Sequence, residues 1–307
     1  MRFLITGGAG FIGTALANYL IQQGHTVRVL DDLSAGHAEQ LHPDIHFTRG
    51  DVEDKPKVWR LLNKVDCVYH LAARVSVPES GLYPREYNKT NVSGTVAIME
   101  AMRDAGVKRV VLASSGAVYG EQAVAKVHEE LLPNPSSPYA VSKLAAESYV
   151  HTIGAPWHIE TVCLRIFNAY GPNQAIPPIH APVIPLFIRQ VLGNGSVVIH
   201  ANGQQIRDYI YVDDVVMALV AAATTAGLSH QTINIGTGIG TSLNQLVDLI
   251  EQVSKRKVQR LTTPTVLGGV STLIADTHRA EKLLNFNPKI SLAEGLALLL
   301  QQRNLAL

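Results

Sequence analysis

The sequence predicts an α/β fold, a doubly wound parallel sheet of the Rossmann type with a smaller, interleaved C-terminal substrate-binding region. Three observations carry the prediction. Apolar runs of strand length alternate with helical patterns through the first half of the 307 residues, the signature of a parallel sheet covered on both faces. The first run enters a glycine-rich turn that opens a helix. After about residue 167 the alternation breaks up at Pro172, Pro177, Pro178, Pro182 and Pro185.

Strand-like runs occur near 2–6, 25–30, 45–48, 66–71, 107–113 and 159–166. Arg2-Phe3-Leu4-Ile5-Thr6 leads into Gly7-Gly8-Ala9-Gly10-Phe11-Ile12-Gly13, then a helical pattern from Thr14 to Gln23. Gly8-x-Gly10-x-x-Gly13 fits the dinucleotide fingerprint, and Gly7-x-x-Gly10-x-x-Gly13 fits a variant. Such glycines permit a tight turn and close approach of backbone to pyrophosphate, and the helix N-terminus suits the anion. The second strand ends at Asp31. A carboxylate about 20 residues after the glycines accepts a bond from the ribose 2′-OH and repels a 2′-phosphate, so NAD is expected, not NADP.

The run Val110 to Gly120 reads as a buried strand opening into Ser114 and Ser115. Serines there lie on the rim where open α/β sheets bind ligands; alone they fit a turn equally well. Tyr139 and Lys143 fall four apart in a helical run and share one face. An ammonium beside a phenol lowers its pKa, making the pair a proton shuttle for an alcohol. Arg207 is a candidate anion contact, since guanidinium suits phosphate. Asp213 and Asp214 read as the N-cap region of a helix over 215–223. Residues 213–236 read as a helix and strand returning to the main sheet, and the chain beyond about 240 as a largely helical cap.

In this order the motifs resemble the extended short-chain dehydrogenase/reductases, within the NAD-dependent epimerase/dehydratase family, and most of all its UDP-galactose (UDP-glucose) 4-epimerase type. The likeness also rests on Gly50-Asp51-Val52, His70-Leu71-Ala72-Ala73, Asn91-Val92-x-Gly94-Thr95, Arg165-x-Phe167-Asn168, Arg207-Asp208-Tyr209 and Asn234-Ile235-Gly236-Thr237-Gly238. The resemblance implies Ser115 and Tyr139 as catalytic, with Lys143 holding the nicotinamide ribose and tuning Tyr139. It implies NAD contacts at Gly7, Gly10, Phe11, Ile12, Gly13, Asp31, Asp32, Ser34, Gly36, Asp51, Val52, Leu71, Ala72, Ala73, Asn91, Tyr139, Lys143 and Phe167. It places a sugar nucleotide against Ser115, Asn168, Val183, His200 and Arg207. It divides the chain into an NAD-binding core, 1–167, and a mainly substrate-binding region, 168–307, with 213–236 returned to the core.

The implied activity is a sugar-nucleotide 4-epimerase working through a 4-keto intermediate. A keto-sugar reductase or alcohol dehydrogenase would use the same residues, and a non-catalytic dinucleotide-binding protein is a third class. Family members that eliminate water or carbon dioxide resemble one another in acidic residues after the catalytic Ser/Thr; here Gly116 and Ala117 stand there and neither moves a proton. Two departures concern the nucleotide clamp. An Arg-Pro-Gly-Asp segment common in the family is replaced by Val266-Leu267-Gly268-Gly269, with Arg189 and Arg279 as possible substitutes. Pro182 and His200 stand where relatives often carry an Asn and a base-stacking aromatic.

With 47% apolar residues the chain is no disordered protein, and a net charge of +1 gives no electrostatic case for nucleic acid or anionic membrane. Cys67 and Cys163 lie in apolar runs and read as thiols of a reducing compartment. No spacing of cysteines or the 12 histidines suggests a metal. The strand begins next to Met1, leaving no room for a signal peptide, and no apolar run reaches the ~18 residues of a membrane span. The expectation is a cytoplasmic enzyme. The resemblance also implies a homodimer, since related enzymes commonly dimerise through two helices that match about 88–104 and 139–153 here; Val92, Val96, Ile98, Met99 and Met102 give the first more apolar surface than one buried face requires.

Overall fold

The structure is a computed structural model that describes residues 1–177, 179–193, 195–263 and 270–304, apart from the side chains of His200 and residues 302–304. The strands are β1 Arg2–Thr6, β2 Thr26–Asp31, β3 His46–Arg49, β4 Cys67–His70, β5 Arg109–Ser115, β6 Glu160–Ile166, β7 Asn168–Tyr170, β8 Val197–His200, β9 Ile206–Tyr211, β10 Gln231–Ile235, β11 Gly240–Ser242, β12 Arg260–Thr263 and β13 Thr272–Leu273. Seven form one sheet in the order β10-β6-β5-β4-β1-β2-β3, and every pairing in it is parallel. The six sequence-predicted strands are its first six. The order reverses between β1 and β4, which opens a crevice at their carboxyl ends.

The helices are α1 Phe11–Gln22, α2 Lys55–Leu61, α3 Val77–Leu82, α4 Pro84–Tyr87, α5 Gly94–Ala105, α6 Pro138–Gly154, α7 Val183–Leu192, α8 Val212–Thr224, α9 Leu243–Ser254, α10 His278–Leu284 and α11 Leu292–Asn304. Phe3, Leu4 and Ile5 are wholly buried, as a parallel strand covered on both faces requires. Residues of α1 and α8 bury one face of the sheet, and residues of α2, α5 and α6 the other. Helix α6 starts cleanly because Ser137 accepts the Ala140 N–H and Pro138 follows at its first position.

Beyond β6 a second sheet forms around β9, which pairs with β7, β11 and β13. Strands β8 and β12 make a separate parallel pair. A third apolar cluster joins α7, α9 and α11 over β9. Strand β10 comes from late in the chain yet lies beside β6 in the main sheet.

Two local expectations are corrected. Helix α8 begins at Val212, so Asp213 and Asp214 lie in its first turn and do not precede it. Asp214 instead accepts the N–H groups of Lys289 and Ile290, tying down the entry to α11. In α5, Ile98, Met99 and Met102 are wholly buried inside the subunit. They pack on the α2 and α6 face of the sheet, so these three offer nothing to a partner, while Val92 and Val96 stay half-buried.

Candidate active site

Gly7, Asp31, Leu71, Ser115 and Phe167 lie at the carboxyl ends of β1, β2, β4, β5 and β6. Gly7 has φ of +68°, and a Cβ there would lie 2.6 Å from Ala72 N. A Cβ at Gly13 would lie 2.2 Å from Gly7 O. Helix and turn therefore touch at backbone distance, as no side chain would allow. At Gly10 a Cβ would meet only Gly7 O, at 3.3 Å, so the outer side of the turn is open. Helix α1 has no acidic residue in its first turn and no side-chain cap. Its first N–H groups and positive dipole end suit a pyrophosphate. Phe11 and Ile12 follow in that turn, half-buried.

Asp31 closes the cradle from β2. Its carboxylate accepts the N–H of Ala9 at 3.0 Å and of Leu33 at 2.8 Å. Burial raises its pKa, opposed by those two bonds. The next residues wrap the glycine turn: His37 N–H reaches Ala9 O at 2.9 Å, and a Cβ at Gly36 would meet Ala9 at 2.9 Å. Asp32 accepts the Ser34 N–H, fixing that loop with both residues exposed. Asp51 is exposed and Val52 buried, the latter packed so closely on α5 that a Cβ on Gly94 would meet it at 2.6 Å. Leu71 and Ala72 follow β4 and bond Thr6 through their N–H groups, and Ala73 is half-buried beside them. The open cradle and the carboxylate on its rim fit a dinucleotide.

Ser115 ends β5, half-buried, and accepts the Ala117 N–H at 3.2 Å. Tyr139 and Lys143 project from α6 and are 8% and 4% exposed. Lys143 Nζ donates to Ala113 O at 2.8 Å, so the β5 backbone anchors the ammonium. Burial lowers Lys143 to about 8, with the charge of Glu147 acting in the opposite sense. The sequence predicts a tyrosine acidified by this lysine. In the structure burial dominates and raises the Tyr139 phenol, while a hydrogen bond with Ser115 works to lower it. Phe167 packs on Gly116, where a Cβ would meet its ring at 3.1 Å.

Asn91 is buried, and its amide is committed to protein: Oδ1 accepts the Arg74 N–H, while Nδ2 donates to Arg74 O and Ser142 Oγ. It thus fixes α6 one residue before Lys143. Asn168 is exposed at the start of β7, and Val183 is half-buried at the start of α7. Arg207 projects from β9, and its guanidinium donates to Ile206 O and to Val270 O at 2.7 Å. Burial lowers its pKa. Arg279 faces Glu129 and Glu130, and Arg189 is exposed on α7. The 266–269 segment and the His200 side chain lie outside the described residues.

Sequence reasoning missed two supports. His70 spans β1 and α5 through Thr6 Oγ1 at 2.7 Å and Thr95 Oγ1 at 2.9 Å. Glu147 is buried one turn after Lys143 and accepts Ser114 Oγ at 2.5 Å. Its spacing of four from Lys143 was a readable signal. Among the described residues no group of His, Cys, Asp and Glu is placed to hold a metal ion, and no helix is long and apolar enough to cross a membrane.

The sequence and the fold are shared with known proteins. Residues 3–236 match the model of the NAD dependent epimerase/dehydratase family. The chain belongs to that family. It is an extended short-chain dehydrogenase/reductase enzyme, and NAD is its cofactor. A UDP-glucose 4-epimerase of Mycolicibacterium smegmatis is 38% identical over 304 residues, covering 97% of this chain and 96% of the relative. The structure of UDP-glucose 4-epimerase with UDP-glucose from Thermotoga maritima superposes with a TM-score of 0.95, at 35% identity, covering 100% of this chain and 99% of that one. UDP-glucose 4-epimerase of Thermus thermophilus, complexed with NAD, gives 0.93 at 32% identity with both chains fully covered.

Proposed function

We infer that the chain is an NAD-dependent sugar-nucleotide 4-epimerase that interconverts UDP-glucose and UDP-galactose. The observation that carries the reading is one proton-handling cluster at the strand end, followed in the chain by two residues that move no proton. Ser115, Tyr139 and Lys143 meet at the end of β5, and the next residues are Gly116 and Ala117. Reversible oxidation of an alcohol needs one shuttle; elimination needs another acid or base.

When bound, NAD supplies the hydride acceptor and donor for the sugar C4. Gly7, Gly10, Gly13 and Asp31 hold its pyrophosphate and adenosine ribose, and Lys143 its nicotinamide ribose. Asp51 and Val52 flank adenine; Leu71, Ala72 and Ala73 line the pyrophosphate side. Phe167 borders the nicotinamide. As phenolate, favoured by the Lys143 ammonium and by the positive charge that NAD would bring, Tyr139 Oη accepts the proton of the 4-OH, assisted by the Ser115 hydroxyl. After the 4-keto sugar turns over and presents the other face of C4 to the returning hydride, the same Oη returns the proton to O4. Arg207 binds the diphosphate, with Asn168, Val183 and His200 around the substrate. Residues 1–167 serve NAD, and 168–307 mainly the substrate, with 213–236 returned to the core. A reducing cytoplasm suits the two buried free thiols.

The test is NMR of UDP-galactose with purified protein and no added NAD. Conversion to UDP-glucose without net NADH supports the reading. NADH accumulation or a strict need for added NADH would move the assignment to the reductase or dehydrogenase alternative.

The proposed assembly is a homodimer through the outer faces of α5 and α6. Val141 and Tyr149 are 52% and 45% exposed on α6, where a two-fold partner would cover them. Light scattering is expected to give twice the chain mass; a monomer at micromolar concentration would count against it.

A further inference from the structure

Behind the catalytic strand lies a buried polar cluster that the proposed chemistry does not use. The Glu147 side chain is 5% exposed and that of Arg165 6%. Arg165 donates Nε to Oε1 at 2.9 Å and Nη2 to Oε2 at 2.8 Å, a bidentate pair. Ser114 Oγ donates to Oε1 as well, at 2.5 Å. The guanidinium lies over the Tyr119 ring at 4.8 Å, and Tyr119 Oη donates to Asn234 Oδ1 at 2.7 Å. One carboxylate therefore joins α6 to β5 and β6. Its partners stand one residue before Ser115 and two before Phe167. Stability is a poor reason for such a pair, because desolvating two ions offsets most of their attraction.

We propose that Glu147, tied to Ser114 and Arg165, is a positioning residue for the reaction: it fixes the Ser115 strand end against the Tyr139–Lys143 face of α6 and is the buried anion that keeps Lys143 an ammonium. The inference rests on the 4-epimerase reading for its turnover assay. The charges around Lys143 favour this role. Tyr139 on its own helix is a neutral phenol, and Tyr87 packs edge-on against that ring. His70 from β4 is neutral, its pKa lowered to about 3 by burial. Cys163 from β6, raised by burial, and His151 on α6, lowered to about 4, face Glu147 uncharged. Arg165 adds a second cation. Glu147 is the anion that faces both, and the trio keeps one net positive charge.

The test is Glu147→Gln, read by NMR of the lysine side chains in protein labelled with ¹³C-lysine, with the Lys143 signal assigned through Lys143→Arg. The expected result is a titration midpoint near pH 8 in wild type and about one unit lower in Glu147→Gln. Turnover should then fall about fivefold more at pH 8 than at pH 6, with the KM for UDP-glucose little changed. Glu147→Asp should recover most of the midpoint. Should Glu147→Gln fail to fold, Glu147→Gln/Arg165→Gln removes both charges together and is expected to keep a lowered midpoint. An unmoved Lys143 midpoint with altered unfolding alone would overturn the proposal, leaving Glu147 as a structural tie. If wild type does not interconvert the two UDP-sugars, the 4-epimerase reading fails, while the NMR titration still decides the charge role.

Discussion

Lys143→Met should leave the protein more stable and inactive. Burial lowers the Lys143 pKa from 10.5 to about 8. At about 1.4 kcal/mol per pH unit, the folded state bears about 3 kcal/mol for carrying this ammonium. Methionine has a similar length and no charge. It forfeits the bond to Ala113 O, which contributes about 1 kcal/mol. The net expectation is about 2 kcal/mol of added stability at pH 7.

The pH dependence identifies the cause. Below pH 8 the lysine is charged in both folded and unfolded chains, and the cost is fully present. Between about 8 and 10.5 the unfolded chain binds the extra proton, so wild-type stability rises with pH. The advantage of Lys143→Met should therefore shrink by about 2 kcal/mol between pH 7 and 9.5. Urea unfolding of both proteins, stripped of NAD so that ligand linkage does not mask the effect, measures it. Equal stability at pH 7, or a difference that ignores pH, would refute the argument that burial of Lys143 is a functional cost.

Tyr139→Phe keeps the buried ring and removes Oη; turnover should fall about 10²–10⁴-fold with NAD affinity retained, as single-turnover kinetics and cofactor titration would register. Asp31→Asn removes the charge that would oppose a 2′-phosphate and keeps an acceptor for one of the Ala9 and Leu33 N–H groups, the other then facing the amide NH2; calorimetry should show NADP binding improve relative to NAD. Arg207→Ala should raise the Kd for UDP by a factor corresponding to about 2–5 kcal/mol, and an unchanged Kd would remove Arg207 from the diphosphate site.

Local signals made the core legible. Parallel strands buried on both faces read as unbroken apolar runs, so β1 and β5 stand out in the sequence. The glycine turn was legible for a different reason: a Cβ at position 13 would lie 2.2 Å from Gly7 O, so only glycine fits there. What stayed hidden depends on long-range partners. Asp214 looks like a cap for its own helix, yet it serves residues 75 and 76 positions away. Met99 and Met102 look like interface residues, and only the packing of α2 shows that they are core. The Tyr139 pKa followed the same pattern: the i,i+4 spacing to Lys143 was right, but spacing carries no information about burial, which sets the direction.

Epimerase and reductase would use the same shuttle, so what separates them is how the cofactor is held. A cycle that returns its hydride each turnover works best when NAD stays bound, whereas a net reductase must release it. The structure bears on that difference through the cradle. Ala9 donates its N–H to Asp31 and accepts the N–H of His37, and Gly36 packs against the same residue. The side proposed for adenosine is thus interlocked by protein bonds before any ligand contributes. A site already ordered loses less conformational freedom on binding and holds its ligand more tightly. This rigidity favours retention, and retention is what a redox-neutral 4-epimerase requires.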